Sequence, residues 1–146
     1  VQIKGVDDTV RKTTAKLEKN AKLVVHERLM THADQHADSD YIIELKGDGA
    51  SADVVSRSVA RDESVQIYRS RIVGDAVCSG HTECDAIIMD KARVVAIPEL
   101  EAVNVDAALI HEAAIGKIAG DQLIKLMTLG LTAAEAEEQI VNGFLK

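Results

Sequence analysis

The chain has no tryptophan, one phenylalanine, one proline and two cysteines among its 146 residues. With aromatics at only 2%, its core cannot be organised around large rings. It must be aliphatic, built from valine, isoleucine, leucine and alanine, and such uniform side chains suit repetitive stacking. Cys78 and Cys84 are too few for a disulfide framework in a chain of this size, which points to a reduced, cytoplasmic setting. Positive charge is also short. Seventeen Lys and Arg face 24 Asp and Glu, giving a formal charge of −7. That excludes nucleic acid as the principal partner, because phosphate contacts need a basic face. No apolar run of about 18 residues and no signal-peptide pattern occurs, so nothing reads as a membrane span. A Walker-type phosphate loop is missing as well, so any ATP hydrolysis would belong to a partner. No nucleophile motif is present, and the chain does not read as an enzyme.

What is present is a soluble composition, 47% apolar and 28% charged, enough for one domain with a core. Short β-branched runs recur. Examples are Leu23-Val24-Val25, Tyr41-Ile42-Ile43, Val54-Val55, Ile72-Val73, Ala86-Ile87-Ile88 and Val94-Val95. Between Ser64 and Ile72 the apolar residues fall mostly at every second position, the period of a strand with one buried face. The runs are irregularly spaced and separated by polar or glycine-bearing turns. Asp48-Gly49 is the one hairpin-type dipeptide between clean strands. Periodicity alone favours a sandwich over a parallel β-helix. Three segments follow. Residues 1–20 are poorly patterned, with Val10–Leu17 readable as a short helix or a ragged strand. Residues 21–115 form the strand-rich body, and 116–146 are helical.

In the helical segment, Leu123, Ile124 and Met127 make a stripe of helical period. Gly130 supplies a left-handed stop. Thr132 followed by Glu135 forms a capping box for a second helix through Ala136, Ile140 and Val141, which Gly143 ends. The two helices form a hairpin. One face can seal the strand body, and the other can offer Leu123, Met127, Ile140 and Phe144 to a partner.

Three clusters could carry chemistry. His111-Glu112 lies where strands give way to helices; an imidazole can ligate iron and a carboxylate can orient a ligand. Cys78-x-x-His81-x-x-Cys84 offers metal-binding donors, provided that a turn around Gly80 gathers them. His32 and His36, amid Asp34 and Asp38, read as solvated surface histidines.

Four stretches occur in an order that resembles the SufB/SufD family of iron–sulfur cluster assembly scaffolds. They are Gly80–Ile88, Asp90–Arg93 leading to Pro98–Glu101, His111–Ala113 with Gly116–Ile118, and Asp121–Leu123 through Ile140–Phe144. The resemblance covers about residues 47 to 146. Lys91-Ala92-Arg93 stands where the SufB branch carries a cysteine, and the run is nearer SufD. The resemblance implies a right-handed parallel β-helix capped by two helices, reversing the preference from periodicity. It implies a non-catalytic scaffold whose C-terminal helices bind a SufC-like ABC ATPase. It implies pairing, with a SufB/SufD-type subunit or with itself, and a transient iron–sulfur cluster rather than a tightly bound one. His111 and Glu112 become the residues expected to hold the cluster or handle sulfur. The competing readings are a metal-binding β-solenoid using Cys78, His81 and Cys84, and a purely structural interaction module.

Overall fold

The computed structural model describes residues 6–146. Eight strands precede two helices among them: β1 (Asp8–Leu17), β2 (Lys22–Thr31), β3 (His36–Leu45), β4 (Ser51–Ala60), β5 (Val65–Gly74), β6 (Ser79–Ile88), β7 (Arg93–Ala102), β8 (Ala108–Gly116), α1 (Gly120–Thr128) and α2 (Ala133–Phe144). Odd and even strands separate into two four-stranded sheets, β1-β3-β5-β7 and β2-β4-β6-β8. All pairs are parallel. The chain therefore winds as a flattened β-solenoid, and the sandwich favoured by periodicity is wrong. Asp48-Gly49 is no hairpin; it links strands of opposite sheets.

Each coil takes 28 or 29 residues, as Asp8↔His36 and His36↔Val65 show. Parallel strands in register stand about 4.8 Å apart, so every side chain sits above its counterpart one coil earlier. Within a strand, alternate residues face inward, and β3 buries Ala37, Ser39, Tyr41, Ile43 and Leu45 this way. The segment left unpatterned in the sequence contributes β1, whose Val10–Leu17 portion is a strand with the same alternation. Residues 1–5 of that segment lie outside the described residues.

The turns stack too. Ala33, Asp62 and Asp90 all have φ near +55°, at 52°, 58° and 53°. The Ala33 N–H donates to Asp62 Oδ2 at 2.7 Å, and the Asp62 N–H donates to Asp90 Oδ2 at 3.2 Å. Asp tolerates the left-handed conformation, and here its carboxylate also satisfies a backbone donor of the coil before.

The core is aliphatic apart from two tyrosines. Tyr41 and Tyr68 lie inside with ring centroids 5.8 Å apart. Around them runs a polar seam that the sequence reading did not anticipate. Glu27 is 6% exposed. It accepts hydrogen bonds from Ser39 Oγ at 2.7 Å, Tyr41 OH at 3.0 Å and Ser56 Oγ at 2.7 Å. Buried charge is tolerable only when satisfied in this way.

β8 ends at Gly116, so His111 lies mid-strand rather than at the strand-to-helix junction. In the helices, Gly130 has φ +98° and Thr132–Glu135 form the capping box. α2 continues through Gly143 to Phe144, so Gly143 does not end it. Ala136 and Val141 are buried, and Glu137 pairs with Arg61, just past β4, at 3.6 Å. The last coil is the least covered: Leu100 and Ile115 on its inner face and Val95, Ile97 and Ile110 on its outer face stay exposed. Among the described residues no helix is long and apolar enough to cross a membrane.

Candidate metal and cluster site

Strands β4, β6 and β8 are neighbours in one sheet, and their register builds two separate chemical surfaces. On the outer face Asp53 pairs with His81, and Glu83 pairs with Glu112. His81 Nδ1 lies 2.8 Å from Asp53 Oδ1, while its Nε2 lies 3.5 Å from Glu112 Oε2. One donor atom each from His81, Glu83 and Glu112 fall within 4.8 Å of one another. Asp85 borders the group, and Arg57 reaches Glu83 at 3.9 Å and Asp85 at 4.0 Å. A hydrogen bond to the Asp85 carboxylate, with burial and charge repulsion added, holds the Glu83 carboxyl above its ordinary range.

On the inner face the column is Val25, Val54, Thr82 and His111, beside Glu27, Ser56, Cys84 and Ala113. His111 is thus a diagonal neighbour of Cys84 on the same inner surface. Among the described residues its Nδ1 has no hydrogen-bond partner. Burial pushes the Cys84 thiol up to about 12, so it stays protonated and is a poor ligand while the coil is closed. An interior cavity of about 10 Å³, room for roughly one water, touches Glu27, Ser56, Tyr68 and Cys84.

The predicted residues are redistributed accordingly. His111 and Glu112 point to opposite faces, as adjacent strand positions must. The Cys78, His81 and Cys84 constellation does not form. Cys78 and Cys84 are buried as free thiols, whereas His81 sits on the outer surface with carboxylates. Strand alternation, rather than a turn around Gly80, decides the matter, because Gly80 is itself a β6 residue. His32 follows β2 and His36 opens β3, both exposed. Glu83 and Asp53 escaped the sequence reading. Their signal is a spacing of one coil, Asp53 to His81 and Glu83 to Glu112, which local patterns do not reveal.

The two histidines titrate apart. Its hydrogen bond to Asp53, then the Asp53 and Glu112 charges, raise His81 above the ordinary imidazole value. Burial, foremost, and the charge of His81 lower His111. NMR titration should give midpoints on either side of about 6.5, and Asp53→Asn should bring the His81 midpoint down. The charged His81 contributes to stability fully below the ordinary imidazole value, and that contribution fades as pH rises through its raised one. Coincident midpoints would disprove the Asp53 contact.

On the helices, Ile124 is 63% exposed, Met127 45% and Leu129 79%. Leu123, Ile140 and Phe144 are half-buried. The exposed apolar edge is therefore centred on Ile124, Met127 and Leu129, two of which the sequence reading had not singled out as partner residues.

Comparison with known proteins places this geometry in context. The family described as the SUF system FeS cluster assembly, SufBD core domain, matches residues 3–144. An iron–sulfur cluster assembly SufBD family protein of Methanothermobacter thermautotrophicus is 39% identical over 129 residues, covering 86% of this chain and 31% of that protein. One from Archaeoglobus fulgidus is 36% identical over 135 residues, 91% of this chain and 36% of its own length. The iron–sulfur cluster assembly protein SufB of Bacillus subtilis is 33% identical over 116 residues, 77% of this chain and 25% of that protein. The chain spans about a third of the length of the first two relatives and a quarter of the third.

Proposed function

We propose a function from one premise: this chain belongs to the SufBD core-domain family of the SUF iron–sulfur cluster assembly system, whose match runs over residues 3–144. It acts as a non-catalytic scaffold on which a cluster is assembled as cargo and then passed on. The family match is the observation that carries this reading, and three structural features support it. A rigid solenoid holds side chains of neighbouring coils in fixed register, about 4.8 Å apart, so donors on adjacent strands keep their relative positions. The exposed apolar edge of the helices suits docking of a SufC-like ABC ATPase. The uncovered last coil, with Val95, Ile97, Leu100, Ile110 and Ile115, suits pairing with a second SufB/SufD-type subunit or with another copy.

In this reading the ATPase serves to free the buried thiol of Cys84 and the half-buried ring of His111. Nucleotide-driven movement transmitted through the helices opens the last coil, which lets Cys84 ionise beside His111. Anaerobic reconstitution with Fe2+ and sulfide, together with the ATPase and ATP, tests this. Visible charge-transfer absorption should develop on the scaffold, and His111→Ala should diminish it several-fold without loss of folded structure. Met127→Asp, on the exposed edge, should abolish co-purification with the ATPase while leaving the hairpin folded, whereas Leu123→Asp, half-buried, should remove binding or unfold the hairpin. Absorption that is unchanged in His111→Ala would remove His111 from the mechanism, and absence of iron uptake with ATPase binding intact would leave a purely structural module.

A further inference from the structure

The outer group around His81 is not explained by the interior chemistry of Cys84 and His111. We propose that it is a cysteine-free site for a single divalent first-row metal ion, ligated by His81 Nε2, Glu83 and Glu112 and oriented by Asp53. The identification of that metal as Fe2+ rests on the cluster-assembly reading; the site itself rests on geometry.

The geometry has the parts that a metal site needs. Ligands at about 2.1 Å from a common ion stand roughly 3–3.4 Å from each other. The three donor atoms already lie within 4.8 Å of one another, little more than that separation. Their backbone positions are fixed by the ladder: Glu83 and Glu112 are directly paired, and His81 sits two residues before Glu83 on the same face. The imidazole is held in one orientation. Asp53 takes Nδ1 at 2.8 Å, and that leaves Nε2 facing Glu112. A carboxylate behind a ligating histidine is the usual arrangement at metal centres, because it sets the tautomer and strengthens the ligand. The donor set of one imidazole and two carboxylates suits Fe2+, Mn2+ or Zn2+ and gives no preference to a thiophilic ion.

The surrounding charge fits as well. Among the described residues, Arg57 is the one guanidinium paired with this group of Asp53, Glu83, Asp85 and Glu112; it stands beside Asp85 in register and reaches Asp85 and Glu83, while His81 is paired with Asp53. A dication would relieve the charge repulsion between Glu83 and Asp85, one of the causes that raise the Glu83 carboxyl. The site is open to solvent, while both thiols are buried behind the sheet. Iron could therefore be held here with the coil closed, before the interior ligands become available.

The test is anaerobic titration of the purified chain with Co2+, read by visible absorption, and with Fe2+, read by calorimetry. One equivalent should bind. His81→Ala and Glu112→Gln should each weaken binding by more than about 10-fold, and Asp53→Asn by about 10–100-fold, the range for loss of a carboxylate behind a ligand. Cys84→Ser and His111→Ala should leave it unchanged, and circular dichroism should be the same for all. Affinity within two-fold of wild type in His81→Ala, or binding that vanishes in Cys84→Ser, would overturn the proposal. Cluster reconstitution on the same variants separates the two claims. Intact metal binding with no cluster on any variant would refute the scaffold reading and leave this site standing; cluster formation without metal binding here would do the reverse.

Discussion

Tyr41→Ala should lower the unfolding free energy by about 3–5 kcal/mol, the range for losing a large buried ring, out of a total of about 5–15 kcal/mol for a domain. Tyr41 is fully enclosed between the sheets and packs on Tyr68. The stacked coils fix its other neighbours, Glu27, Ser39 and Ser56 among them, on a rigid ladder, so they cannot close over the gap. The hydroxyl accounts for a smaller part. It accepts from Arg11 Nη2 at 2.6 Å and donates to Glu27 Oε1 at 3.0 Å. Tyr41→Phe removes only these two hydrogen bonds and should cost about 1.5–3 kcal/mol, the value of hydrogen bonds to charged groups. It falls at the low end because Ser39 and Ser56 still donate to Glu27. Urea unfolding of the two variants gives the comparison. A Tyr41→Ala cost no larger than that of Tyr41→Phe would mean that the ring is not a packing element. Burial, with the Glu27 charge next, raises the Tyr41 hydroxyl well above its ordinary value of 10.0. The unfolded chain therefore ionises first as pH rises past about 10, and stability should fall there.

The parts of this structure visible in the sequence were those with local causes. The capping box at Thr132 and Glu135 and the left-handed Gly130 come from contacts within a few residues, and both are present. The strand at Val65–Ile72 shows its extended period by alternation, but the face is inverted: Gln66, Tyr68 and Ser70 point inward with Ile72, while Val65 and Ile67 lie half-buried on the outside. What stayed hidden has a period of 28 or 29 residues, as in Ser51↔Ser79 and Ser79↔Ala108. Parallel register brings Asp53 to His81 and Glu83 to Glu112 with nothing in the intervening sequence to announce it. Irregular spacing of the apolar runs obscured the period, because polar residues such as Glu27, Ser39 and Ser56 occupy inward positions. Glu27 shares its phase with Leu23, Val25 and Leu29 in β2, and that phase was the available clue to its burial. Family resemblance supplied the coil architecture that periodicity alone ranked second. It pointed to Glu112 but not to Glu83 beside it.

Gly47→Ala should destabilise the fold by more than about 4 kcal/mol, beyond the usual range for a point substitution. The reason is the distance between successive turns. A Cβ on Gly47 would lie 2.5 Å from Lys19 Cα and 2.6 Å from Glu18 C, and closer still to the Lys19 backbone nitrogen. These are main-chain atoms of the preceding coil and cannot rotate away. They are also tied to this turn, because Lys46 N–H and Gly47 N–H both donate to Leu17 O and Asn20 N–H donates to Asp48 O. Separating the turns by the width of a methyl group breaks these bonds and tilts β3 away from β1 along its whole length. Gly80 provides the control. Its added Cβ would stand 2.9 Å from Ile72 Cγ2 and Leu109 Cδ2, side-chain atoms that can shift, so Gly80→Ala should cost about 1–3 kcal/mol, as overpacking does. Gly130 has open space around it but a φ of +98°. Its alanine variant should lose about 1–2 kcal/mol from backbone strain, confined to the helical hairpin. Urea unfolding of the three variants, with hydrogen exchange to localise each effect, should rank them Gly47, Gly80, Gly130. A Gly47→Ala protein within about 1 kcal/mol of wild type would mean that the turns are not in contact. The fixed strand spacing on which both the inner and the outer site depend would then be lost.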